Sequence, residues 1–62
     1  MLMLQINTTG AWRNVLAFPA PATDQVLRAV RILAAVAPSA KWCVLDGDGH
    51  RSWIDPETGG MR

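Results

Sequence analysis

Apolar and polar positions alternate over residues 2–6, where Leu2, Leu4 and Ile6 interleave with Met3 and Gln5. That two-residue period is the mark of a half-buried strand. Asn7-Thr8-Thr9-Gly10 is turn chemistry, and residues 12–18 (WRNVLAF) read as the returning strand. A three-residue loop over 8–10, with Gly10 at a positive φ, sets Ile6 opposite Trp12 and Leu2 opposite Leu16. One face then carries Leu2, Leu4, Ile6, Trp12, Leu16 and Phe18, interrupted by Asn14.

Pro19 and Pro21 end this strand because neither can donate to a sheet ladder. Beyond them Val26, Leu27, Val30, Leu33, Ala34 and Ala37 recur at helical spacing. The pattern predicts a helix over 23–37, with Thr23 as N-cap, Asp24 favourable in the first turn and Pro38 as the stop.

A second hairpin is expected over 41–54, from KWCVL and RSWI around Asp46-Gly47-Asp48-Gly49. With Asp48-Gly49 at the centre of a type I′ turn, Asp46 pairs with Arg51, Val44 with Trp53 and Cys43 with Ile54. A longer loop over 46–49 pairs Leu45 with His50 and Trp42 with Trp53 instead. The first register is favoured, since it opposes unlike charges and keeps His50 out of the apolar row. Residues 56–62, with two adjacent glycines, are expected to form a flexible tail.

The elements assemble as an α+β domain, ββαββ: hairpin 2–18, helix 23–37 and hairpin 41–54 in a single domain spanning 1–62. Two hairpins joined edge to edge make a four-stranded, mostly antiparallel sheet, with the helix packed on one face. Strand order is not readable from local pattern. A single helix leaves the other sheet face open. That face is expected to hold Met3, Gln5, Arg13, Val15 and Ala17, with either Trp42, Val44 and Trp53 or Cys43, Leu45 and Ile54. Contiguous apolar surface on so small a protein marks an interface. The expected interface residues are Met3, Arg13, Val15, Trp42 and Trp53.

Composition narrows the functions that fit. Sixty-two residues, half of them hydrophobic, are too few for two domains or a nucleotide-binding α/β fold and too apolar for disorder. A net charge of +1 gives no global field toward nucleic acid or anionic lipid. The charge is nevertheless split. Residues 1–45 carry four basic side chains and one acidic (+3), whereas residues 46–62 carry two basic and four acidic (−2). The lone Cys43 cannot form an internal disulfide, and no stretch approaches the ~20 apolar residues of a membrane-spanning helix. A cytoplasmic setting is expected, with no membrane association.

Candidate chemistry is sparse. Asp46, Asp48, His50, Ser52 and Glu57 fall at calcium-loop spacing, but Arg51 stands where that loop needs glycine, so a hairpin turn is the better reading and no metal is expected. Cys43 and His50 invite a nucleophile and base, yet neither register makes them direct cross-strand partners. Cys43 reads as core filler, and no catalytic residue or cofactor is assigned. Trp12, Trp42 and Trp53, with Arg13, Lys41 and Arg51 beside them, offer a stacking surface for nucleic acid as an alternative.

GAWRNVLAF (10–18), the Ala/Val/Leu-rich helix and the WCVLDGDG hairpin resemble small uncharacterised phage and prophage proteins. The resemblance implies no activity and no binding residues; it suggests an accessory protein that acts by binding. The expected function is therefore a small non-enzymatic interaction module, a homodimer or partner-bound through the open sheet face, with nucleic-acid binding as the alternative.

Overall fold

The computed structural model describes residues 1–55. Strands β1 (Leu2–Asn7) and β2 (Trp12–Phe18) are followed by a 3₁₀ turn, Ala20–Ala22, and by helix α1 (Thr23–Val36). Strands β3 (Lys41–Leu45) and β4 (Arg51–Trp53) complete the fold. The expected flexible tail, 56–62, lies outside the described residues.

The four strands form one antiparallel sheet in the order β2-β1-β3-β4, the α+β architecture the pattern predicts. The hairpins meet through β1 and β3. Because β2 and β3 both run antiparallel to β1, they are parallel to each other, and α1 is the crossover between them. Alternate side chains of β1 and β3 supply the helix-facing row: Leu4 pairs with Val44, and Ile6 with Trp42. These pack with Phe18, Val26, Val30, Ala34, Ala40 and Ile54 into the core.

Both hairpin registers differ from expectation, for physical reasons visible at the turns. In the first, the loop is one residue longer: Asn7 pairs with Trp12, and the Asn7 Oδ1 accepts the Gly10 N–H at 2.8 Å. Gly10 sits at φ +96°, where a side chain would be strained. A register shift between Leu4 and Gln5 then leaves Val15 as an extra residue in β2. Leu2 pairs with Phe18, Leu4 with Leu16 and Ile6 with Arg13, replacing the expected Leu2–Leu16 and Ile6–Trp12 pairs. Trp12 consequently leaves the core face and Arg13 moves to the helix side.

In the second hairpin, Asp46 N–H donates to the His50 carbonyl, enclosing Gly47-Asp48-Gly49. The Asp46 carboxylate accepts the N–H groups of Asp48 and His50, both at 2.9 Å, and Gly49 takes φ +84°. This turn pairs Cys43 with Trp53, Val44 with Ser52 and Leu45 with Arg51. Neither expected register survives. A one-residue slip exchanges the faces of a strand, so the open face receives Cys43, Leu45 and Trp53 together, while Trp42 and Val44 go to the core.

The helix starts at Thr23 as expected, with Ala22 rather than Thr23 at the cap position. The Thr23 hydroxyl instead donates to the Ala20 carbonyl at 2.6 Å. Its buried stripe is Val26, Val30 and Ala34; Leu33, expected in the core, is 46% exposed.

Candidate functional site

On the sheet face away from α1, register aligns Asn14, Gln5, Cys43 and Trp53 across all four strands. The centre of this row is closed to solvent, since Cys43 is fully buried and Gln5 nearly so. Gln5 organises the polar contacts. Its Nε2 donates to Asn14 Oδ1 at 2.8 Å, and its Oε1 accepts from Arg51 Nη2 at 3.3 Å and from the Cys43 thiol at 3.5 Å. The Arg51 guanidinium lies 4.8 Å from the Trp12 ring centroid, within cation–π range. The Trp12 and Trp53 rings meet edge to face at 5.1 Å. Trp12, Arg51 and Trp53 thus form a cap built by the chain itself beside the buried Gln5 and Cys43 at the centre of that face.

Burial pushes the Cys43 thiol above its ordinary range, and the nearby Arg51 offsets this in part through its charge and hydrogen bonding. A buried, protonated thiol is a poor nucleophile. The Asp46 carboxylate, first of the calcium-loop positions, is engaged by two turn N–H groups. Glu57 of that spacing lies outside the described residues. Among the described residues no group of three or more His, Cys, Asp or Glu side chains is placed to hold a metal. No helix among them is long and apolar enough to cross a membrane.

The five expected interface residues do not form one patch. Met3 is half-buried on the open face between Ala17 and Leu45. Trp53 is on the same face and 45% exposed. Arg13 is exposed opposite Ile6, on the helix side. Val15 is exposed at the irregularity in β2. Trp42 is a correction: it is buried in the core, and its indole N–H has no hydrogen-bond partner among the described residues.

The larger exposed apolar surface lies elsewhere. Ile32, Leu33 and Val36 are exposed on α1, and Val15 and Leu16 on the edge strand β2. The helix signal was present in sequence, because Ala29, Ile32, Leu33 and Val36 form a second stripe at i, i+3, i+4 and i+7 beside the core stripe. Exposure of Leu16 could not be read this way, since it shares a face with buried Leu4. The right-handed sense of strand–helix–strand crossovers turns the Ala29–Leu33–Val36 flank of α1 toward β2.

In comparison with known proteins, no family model, no curated protein and no solved structure matches the chain.

Proposed function

We propose that this protein is a small non-enzymatic interaction module that works by docking another protein surface. The observation that carries the reading is the apolar surface left outside the core: Ile32 is 69% and Val36 83% exposed, lining one shallow depression on α1 with Ala35, and Leu33 on the same helix and Val15 and Leu16 on β2 are exposed as well. Single exposed apolar residues are ordinary, whereas a contiguous group on a chain this small points to a binding surface. The surface differs from the one expected at the outset. Trp12, Arg51 and Trp53 pack together on the sheet face, and further exposed apolar side chains lie on the β2 edge and on α1. The single free thiol is compatible with a reducing cytoplasmic setting, and the phage-type resemblance suits an accessory role.

The test is stoichiometric association, with itself or with a protein retained from the host, compared between the parent and Val36→Glu. The reading expects a defined complex that the charge weakens, because burying an unpaired carboxylate is costly. A parent that forms no complex overturns it. A second reading is favoured by the exposed Trp53 ring beside Arg51: single-stranded nucleic acid stacking on the capped face. Steep loss of nucleic-acid binding with rising salt would support it.

A further inference from the structure

We propose that the docking partner is a second copy of this chain, joined through antiparallel pairing of the two β2 strands into one continuous sheet; this rests on the docking function proposed above. Three observations select that occupant. Among the described residues strand β2 is an edge, and its seven residues leave a row of outward backbone donors and acceptors that another extended strand can match. β4, at the other edge, has three residues and offers a far shorter row.

The side chains of β2 are self-compatible. A two-fold axis normal to the sheet must set helix-side residues against helix-side residues. With Val15 as the extra residue, placing the axis at Leu16 does so: Leu16 meets its own copy and Arg13 falls opposite Phe18. Arg13 is the strand's one charged residue, so no like charges are opposed.

Finally, extent favours a folded partner over a free peptide. A specific dimer buries roughly 800 Å² on each side, about a fifth of the 4224 Å² surface of this chain. A peptide strand would cover the edge and leave the helix flank bare. The two-fold brings both helices to the same side of the joined sheet, with the two Leu33–Val36 flanks facing across a floor formed by the Leu16 pair. An isologous interface of this kind uses each patch twice.

The experiment is sedimentation equilibrium of the full chain, alongside Leu16→Lys and Val36→Glu, with circular dichroism to confirm folding. The parent is expected at twice the chain mass, and Leu16→Lys should raise the dissociation constant by about tenfold or more, since a lysine on an edge strand opposes pairing. Hydrogen exchange of β2 in the parent supplies a readout that needs no variant: its outward amides should be slower to exchange in concentrated than in dilute solution. A monomer at every concentration overturns self-pairing, even where a host protein is retained and the docking function stands. A dimer that withstands Leu16→Lys, loses itself only in Val36→Glu and shows no concentration-dependent protection in β2 overturns the strand pairing alone.

Discussion

Gln5 is a polar side chain in the middle of a sheet, held there because every one of its side-chain polar atoms has work. It bridges Asn14 on one neighbouring strand to Cys43 and Arg51 on the other side. Truncation leaves a void over Cys43 and frees Arg51 from one anchor. Gln5→Ala should therefore destabilise by about 1–3 kcal/mol, measured by urea unfolding, and should speed thiol labelling of Cys43 under native conditions. The parent thiol should label slowly until urea exposes it, as its burial requires. Alkaline pH tests the same site. The folded thiol titrates above its ordinary value near 9.0, so the folded state holds its proton longer than the unfolded chain does. That contribution to stability is complete below the unfolded value and is lost as pH rises through the folded one. The urea midpoint should fall over that alkaline window in the parent, and Cys43→Ala should lack this component. An identical alkaline slope in both proteins would contradict the assigned burial.

At the scale of elements, the strands and the helix are separated by how each spends its apolar residues. Leu4 is at the centre of the core, while Leu33 lies at the rim of α1. Leu4→Ala should cost about 2–5 kcal/mol as a core truncation, and Leu33→Ala clearly less, in thermal or urea unfolding of the monomeric state. Equal losses would place Leu33 in the core after all. The turns can be tested separately. Gly49 has open space around it but a positive φ, so Gly49→Ala should cost about 1 kcal/mol through backbone strain alone. Element types and their order were legible, because strand alternation, helical spacing and proline stops are local signals. Register was not. It depends on Asn7 and Asp46 accepting turn N–H groups and on the irregularity at Val15, and each displaces the pairing by a residue without altering the local pattern. That displacement sent Trp42 inward and Trp12 outward. The aromatic cap was illegible for the same reason, since Trp12 and Arg51 are 39 positions apart in sequence and meet only in the observed registers.

For the molecule as a whole, size sets the terms. A chain of 62 residues buries only about 60% of the surface its unfolded form exposes, so the isolated fold has a thin margin. The structure narrows that margin further by leaving Ile32, Leu33 and Val36 outside the core. Covering Leu33, Val36 and the β2 edge with a second copy would recover apolar burial at roughly 25 cal/mol per Å² before the cost of association is subtracted. Folding and pairing are then linked, because a partner that binds only the folded chain stabilises it by mass action. The thermal midpoint of the parent should rise with protein concentration, and that of Leu16→Lys should begin to rise only at a concentration about tenfold or more higher. Salt distinguishes the origin of the effect. Backbone pairing and apolar burial depend weakly on ionic strength, whereas phosphate binding by Arg13, Lys41 or Arg51 would be strongly screened. The concentration dependence should therefore persist when salt is raised from low to high. A midpoint independent of concentration in the parent would show that the fold stands without its copy and would overturn the proposed pairing.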